Sequence, residues 1–355
     1  MAKALIAMSG GVDSSVAAWR MVQAGYECMG CTMKLYNAEE TDASAERTCC
    51  SLDDVEDARS VAFRLGMPYH VFNFKDAFRE KVISKFVDSY IHGVTPNPCI
   101  DCNRYLKFEK LHERAAALGY DFVVTGHYAR IERNGEKYVL KKALDPLKDQ
   151  SYVLYMLTQA QLAHTLFPLG GMTKEQTRAI AVEQGFINAS KPDSQDICFV
   201  PDGDYARVIE RLRGAVPPPG NFVDPAGNVV GRHRGVIHYT IGQRKGLGLA
   251  STEPWFVTAI RPETDEVVLG RAGDLMRDTA EIDDFHLISG ETLTSPLPCR
   301  VKIRYRQPEQ EAVVVPTGDG TAQIRFAVPQ RAITPGQSAV LYDGDVVLGG
   351  GTICS

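Results

Sequence analysis

The sequence predicts an α/β N-terminal region built as a doubly wound parallel sheet, followed by small β domains. Three observations carry this. Apolar runs such as Ala4-Leu5-Ile6-Ala7-Met8 and Glu27-Cys28-Met29-Gly30-Cys31-Thr32-Met33 alternate with segments of helical period up to about residue 212, as buried parallel strands and crossover helices do. Pro217-Pro218-Pro219-Gly220 then forms a stiff boundary. Beyond it lie short alternating strands broken by Gly and Pro, among them 255–260, 266–269, 300–306, 311–315 and 323–328.

The first run feeds Ser9-Gly10-Gly11-Val12-Asp13-Ser14-Ser15, and Val16, Ala17, Trp19, Arg20 and Val22 continue as a helix that Gly25 can end in the left-handed conformation. Paired glycines let the backbone approach a ligand. The unpaired amides of the first helical turn, with the Ser9, Ser14 and Ser15 hydroxyls, can hold an anion. Asp13 would repel a bare phosphate, so it holds Mg²⁺ or orients the turn. No Gly-Lys-Ser/Thr follows the glycines, which disfavours a γ-phosphate hydrolase.

The second run ends near Met33, at the carboxyl edge where open parallel sheets bind ligands, so Met33 lines an adenine pocket or the core. Residues 37–48 read as a polar loop and Cys49-Cys50 as loop or packing thiols. A helix from Leu52 follows, with Val55, Ala58, Val61, Ala62 and Leu65 on one face. Tyr69-His70-Val71-Phe72 is a third strand, and 76–92 a helix. Two prolines make 93–103 a loop before a helix carrying Leu106, Leu111, Ala115 and Leu118. That places Cys102 at or near a helix N-terminus, where the macrodipole favours a thiolate.

Asp121-Phe122-Val123-Val124-Thr125 is a further strand. It delivers Gly126, which admits close nucleotide approach, and His127, a ligand to phosphate or base or a satisfied structural histidine. Lys148-Asp149-Gln150-Ser151 reads as a solvated turn. Thr173 and Gln176 have capping-box spacing and start a helix to about 184, read as purely structural. Residues 191–200 form a loop running into a strand-like alternation, in which Cys198, taken alone, is more often a buried core thiol than a catalytic one. Residues 204–212 are the last helix. Basic stretches follow at Arg232-His233-Arg234, Arg244-Lys245 and 300–306; on a strand, Lys302, Arg304 and Arg306 share one face, suited to phosphates.

The 355 residues, 44% of them hydrophobic, predict two or three domains with real cores. A net charge of −5 argues against indiscriminate nucleic-acid binding, though a local basic stripe could still bind RNA. Nine cysteines, an odd number, fit a reducing cytosol better than a disulfide scaffold. The short apolar run before Gly10 predicts neither a signal peptide nor a membrane span, hence a cytoplasmic protein.

Ser9-Gly-Gly-Val-Asp-Ser14 resembles the pyrophosphate loop (PP-loop) of ATP pyrophosphatases, an adenine nucleotide alpha-hydrolase-like group that adenylates a carbonyl and releases pyrophosphate. With Thr95-Pro-Asn-Pro98, Cys102-Asn103, Thr125-Gly-His-Tyr128, Lys148-Asp-Gln-Ser151 and Asp193-Ser-Gln-Asp-Ile-Cys-Phe199, the chain resembles the bacterial tRNA-specific 2-thiouridylases over nearly its whole length. The resemblance implies a catalytic domain at 1–205, a central β-rich domain at 206–278, and a tRNA-contacting β-barrel at 279–355. It implies ATP binding by Ala7, Met8, Ser9, Gly10, Gly11, Val12, Asp13, Ser14, Met33 and Gly126, with Mg²⁺. Asn97, Pro98 and Cys99 would contact the target base. His127, Lys148, Asp149, Gln150, Arg304, Tyr305 and Gln337 would contact tRNA.

In the chemistry so implied, the C2 oxygen of the wobble uridine in the anticodon stem-loop of tRNAs for Lys, Glu and Gln is adenylated. Cys198 delivers persulfide sulfur from a cysteine desulfurase or sulfur relay protein, and Cys102 attacks that persulfide. Many family members have aspartate where Cys99 stands. Cys99, Cys102 and Cys198 could therefore instead ligate a [4Fe-4S] cluster with one open iron. Two other readings are an amide or amidine synthetase of the same loop group, needing no cysteine pair, and a non-catalytic RNA-binding module, needing no ATP.

Overall fold

The computed structural model describes residues 1–36, 52–193, 197–200, 203–213 and 217–355. The polar loop expected at 37–48, Cys49-Cys50 and Ser194-Gln195-Asp196 lie outside the described residues.

The N-terminal elements are β1 (Lys3–Ala7), α1 (Val12–Gln23), β2 (Glu27–Lys34), α2 (Leu52–Arg64), β3 (Tyr69–Asn73), a helical stretch at 75–91 (α3) and another at 98–117 (α4). Then come β4 (Phe122–Val124), β5 (Ala129–Asn134), β6 (Lys137–Lys142), α5 (Gln159–Ala163), β7 (Thr165–Leu166), α6 (Lys174–Glu183) and α7 (Tyr205–Arg213). Strands β3-β2-β1-β4-β7 form one parallel sheet. Strand alternation sorts its side chains. Ala4, Ile6, Met8 and Cys28 pack against Val16 and Ala17 of α1 and Val61 and Ala62 of α2. Leu5, Met29 and Cys31 point the other way, onto Phe78, Val82 and Phe86 of α3 and Leu106 and Leu111 of α4. Each large side chain so buried contributes about 1.5–3 kcal/mol. Both faces being covered is why these strands read as continuous apolar runs.

Gly25, at φ +81, takes the position after the Ala24 cap of α1, as its place in the sequence suggests. The loop expected at 93–103 is shorter. Asn97 caps a helical turn that begins at Pro98, its side chain accepting from Cys99 N, so Pro98 is the first residue of α4 and not a loop stiffener. The 191–200 alternation does not become a strand either: Val200 N bonds back to Ile197 O at 2.8 Å, a turn.

A second sheet, in the order β10-β11-β8-β9, is built from β8 (Gly220–Val223), β9 (Val229–His233), β10 (Phe256–Arg261) and β11 (Glu266–Gly270). The last six strands are β12 (Met276–Leu287), β13 (Leu297–Lys302), β14 (Gln310–Gly318), β15 (Thr321–Arg331), β16 (Ser338–Asp343) and β17 (Val346–Ile353). They run β12-β15-β14-β13-β16-β17, and β17 pairs back onto β12 to close a barrel. Closure removes the edges that an open sheet would expose. The β5–β6 hairpin lies on the barrel, Val346 and Val347 of β17 pairing with Lys141 and Leu140. Sequence reading passed over this hairpin, although Asn134-Gly135, with Gly135 at φ 64, is a hairpin-turn signal.

The basic strand expected at 300–306 stops at Lys302, because Ile303 turns inward at 3% exposure and Gln307 N bonds Arg304 O. Lys302, Arg304 and Arg306 therefore do not form a stripe on one strand face.

Candidate nucleotide and thiol site

At the carboxyl end of β1 the chain passes through Ser9-Gly10-Gly11 into α1, whose Gly11 cap has φ −89 and ψ 160. Ser15 N reaches Gly11 O at 3.3 Å, the first bond of the helix. The amides of Val12, Asp13 and Ser14 have no carbonyl within the helix to meet. Ser14 Oγ accepts from Ser9 N at 3.2 Å and donates to Gly11 O at 2.9 Å, which folds the loop over the helix start. Asn188 Nδ2 donates to Gly10 O and Ser15 Oγ at 2.8 and 2.9 Å and braces it from behind. Gly10 has φ +75, and a Cβ there would meet the backbone of Asp54. At Gly126 a Cβ would lie 2.8 Å from Asp13 C and Ser14 N. The missing side chain at Gly126 thus lets the end of β4 press against the loop itself.

Asp13 is oriented rather than open. Lys174 Nζ donates to its two oxygens at 2.7 and 2.8 Å, and the Tyr128 hydroxyl donates to Oδ1 at 2.8 Å. Lys174 also pairs with Asp193 Oδ1 at 2.8 Å, as does Arg178, while Lys148 holds Asp193 Oδ2 at 2.8 Å. Burial works to raise the Asp193 carboxyl, but hydrogen bonds and charge from Lys148 and Lys174 outweigh it and hold its pKa down to about 2. The capping box of α6 is present, as its spacing predicts. The cap spacing does not show, however, that the first residue of that helix reaches Asp13 in the Ser9–Ser14 loop. Sequence reasoning missed Lys174, Arg178 and the Tyr128 hydroxyl for that reason.

The segment 148–151 is no solvated turn. Asp149 accepts from Ala143 N and from Ser151 N and Oγ, and Gln150 Oε1 accepts from Tyr128 N at 2.9 Å. Ser151 is fully buried. His127 is buried too, between the rings of Phe108 and Phe167, with Nδ1 2.6 Å from Thr125 Oγ1. Burial, with Lys107 nearby, pushes its pKa well down, so the imidazole is neutral.

Ala7, Met33, Cys102 and Cys198 all border the same core cluster, on the sheet face opposite α1. Phe199 pins the Cys198 segment between Phe78 and Phe86 at ring distances of 5.7 and 5.1 Å, and Tyr36 Oη donates to Cys198 O at 2.9 Å. Cys102 stands beyond the first turn of α4, its amide already bonded to Cys99 O and Pro98 O, so the helix N-terminus lies at Pro98, after the Asn97 cap, and not at Cys102. Asn97, Pro98 and Cys99 form that first turn, with Cys99 exposed. Thr95, just before it, is tied to the barrel: Thr95 N donates to Pro335 O at 3.0 Å and Gln337 Nε2 to Thr95 O at 2.8 Å. Arg304 bonds inward to Ile241 O, Ala332 O and Thr334 Oγ1. Tyr305 is 37% exposed, its hydroxyl on Asp149 O, its ring beside that of Tyr152.

Among the described residues no three His, Cys, Asp or Glu side chains converge as metal ligands. Cys99, Cys102 and Cys198 therefore do not fit an iron–sulfur cluster: Cys99 faces solvent while the other two pack against the core. Mg²⁺ asks for less, one or two carboxylates beside substrate phosphates, and Asp13 would supply one once Lys174 releases it. Among the described residues no helix is long and apolar enough to cross a membrane.

Residues 2–202 match the family model described as a tRNA methyl transferase HUP domain, 208–271 its PRC-barrel domain and 277–353 an aminomethyltransferase beta-barrel domain. The chain is 50% identical over 354 residues to a tRNA-specific 2-thiouridylase of Acetivibrio thermocellus, covering 99% of each chain. It is 48% identical over 353 residues to one of Clostridioides difficile, covering 99% of this chain and 98% of that one. A solved 4-thiouridine synthetase in complex with RNA and ATP aligns with 59% of this chain and 50% of its own, at 19% identity and a TM-score of 0.39.

Proposed function

Since the chain belongs to the tRNA-specific 2-thiouridylase family, we propose that it replaces the C2 oxygen of the wobble uridine of tRNA by sulfur, with ATP as the activating substrate. The observation that carries this reading is the pyrophosphate loop at the end of β1, with Met33, Cys102 and Cys198 bordering one core cluster beside it.

The C2 carbonyl oxygen is a poor leaving group in a stabilised ring. It attacks the α-phosphorus of ATP, the bond to the β-phosphate oxygen breaks, and C2 then carries AMP. The amides of Val12, Asp13 and Ser14 and the loop hydroxyls face the phosphates. Asp13 would hold Mg²⁺, which would supply further charge neutralisation. The terminal sulfur of a Cys198 persulfide attacks C2. Cys102 thiolate then attacks the Cys198 sulfur, so the S–S bond breaks, the disulfide Cys102–Cys198 forms, and the sulfur left on C2 expels AMP as C=S is made. A thiol reductant resets the pair with two electrons. Asn97, Pro98 and Cys99 hold the flipped base, and the segments carrying His127, Lys148, Asp149, Gln150, Arg304, Tyr305 and Gln337 contact the anticodon stem-loop, with Tyr305 the exposed side chain among them and Arg304 supporting from within. The persulfide comes from a cysteine desulfurase or sulfur relay protein, and the three units end at 205, 278 and 355.

The test is nucleoside mass spectrometry of unmodified tRNA incubated with the protein, ATP, Mg²⁺ and a persulfide-loaded sulfurtransferase. The expected product is 2-thiouridine, lost in Cys198→Ala and in Cys102→Ala. Product formation by both variants would overturn the persulfide route, and its absence with wild-type protein would overturn the thiolation reading.

A further inference from the structure

Lys174 breaks a local rule. It stands at the first position of α6, after the Thr173 cap, where a cation opposes the helix macrodipole. It is also only 8% exposed, so its ammonium has lost most of its water. Residues that violate local preference concentrate at functional sites. The compensation is long-range: both Asp13 oxygens and Asp193 Oδ1 lie within 2.8 Å of its Nζ. Lys148 and Arg178 converge on the same Asp193. The cluster sets the cations of Lys148, Lys174 and Arg178 beside the open amides of α1 and against the carboxylates of Asp13 and Asp193, with Asp145 Oδ2 accepting from Lys174 N at 3.0 Å. Cationic side chains gathered beside free helix amides suit an anion of more than one charge.

We infer that Lys174 is a phosphate-binding residue, whose ammonium moves from Asp13 and Asp193 onto the β- and γ-phosphates of ATP and holds the leaving pyrophosphate. This rests on the proposal that the Ser9–Ser14 loop binds ATP. When the bond between the α-phosphorus and its bridging oxygen breaks, the electron pair passes to pyrophosphate, and an ammonium already in place stabilises the charge as it forms. No proton need move. Asp193 is the resting partner that keeps the ammonium oriented while the site is empty of phosphate.

The competing role is a permanent clamp that only neutralises Asp13. Titration calorimetry of the full-length protein with Mg·pyrophosphate and with Mg·ATP separates the two. Lys174→Met should weaken pyrophosphate by about 10- to 100-fold, the range for a hydrogen bond to a charged group, and Lys174→Arg should restore part of it. Asp193→Asn removes a resting partner but no cation, so it should bind pyrophosphate as tightly as wild type or more so. It reports even where Lys174→Met does not fold. Wild-type affinity in Lys174→Met, or weaker binding in Asp193→Asn, overturns the inference. Wild-type protein that binds neither ligand overturns both this inference and the ATP site. Intact pyrophosphate binding without 2-thiouridine formation overturns the thiolation reading alone.

Discussion

The loop at 9–14 and the loop at 93–97 are held in different ways. Everything that shapes the first belongs to the N-terminal region: the Ser14 and Asn188 hydrogen bonds, the bare Cα of Gly10 and Gly126, the Lys174 pair. The second is tied to its own helix by Val94 N on Ser89 O and also to the barrel, by Pro335 and Gln337 on Thr95 and by Gly336 packed on Val94. The 9–14 loop, the proposed phosphate site, is thus a property of one region, while the loop next to Cys99 also leans on the barrel. Damage to the barrel should loosen the second and spare the first.

Gly10→Ala is the strongest blow to the first loop. It combines a left-handed φ of +75 with a collision against the Asp54 backbone, a cost of about 3 kcal/mol or more. ATP affinity measured by calorimetry should fall by at least about 100-fold; an unchanged affinity would mean that the loop tolerates rearrangement. Gly336→Ala tests the second. Gly336 has φ +87, and its Cβ would sit 2.9 Å from Thr95 C and O, costing about 2 kcal/mol. Formation of 2-thiouridine should drop with ATP affinity kept, and a parallel loss of both would erase the distinction between the loops.

Gln337→Ala is gentler, removing one hydrogen bond worth about 1 kcal/mol. A roughly fivefold fall in kcat/KM for tRNA, with no change in KM for ATP, is expected from steady-state kinetics. Smallest is a pH effect confined to the phosphate end. The folded Asp193 carboxyl sits at about 2, below its ordinary value of about 3.9. Its pairing therefore stabilises the protein fully above about pH 4 and is lost as pH falls through about 2. With the side chain a quarter exposed, solvent screening leaves about 1 kcal/mol. Denaturation curves of wild type and Asp193→Asn should converge by that amount between pH 4 and pH 2; parallel curves would show that the pairing contributes nothing.

The sequence by itself determined what depends on neighbours a few residues away. The periods of 2 and 3.6 located β1, α1 and β2, Gly25 ended the first helix, and Thr173 with Gln176 announced the cap of α6. Where it erred, a local signal had two readings. Pro98 serves a loop or a helix start equally well, and only the Asn97 cap decided for the helix, moving Cys102 away from the N-terminus. Asn134-Gly135 went unread because the hairpin it closes buries its face on the barrel, not on its own sheet. The tertiary structure alone placed Lys174 on Asp13, 161 positions away, and Gln337 on Thr95, 242 positions away. The physical reason is that side-chain periodicity states which face of an element is buried but not against what. Charges and amides that meet across such distances are chosen by how whole layers pack, and no pattern within either segment carries that information.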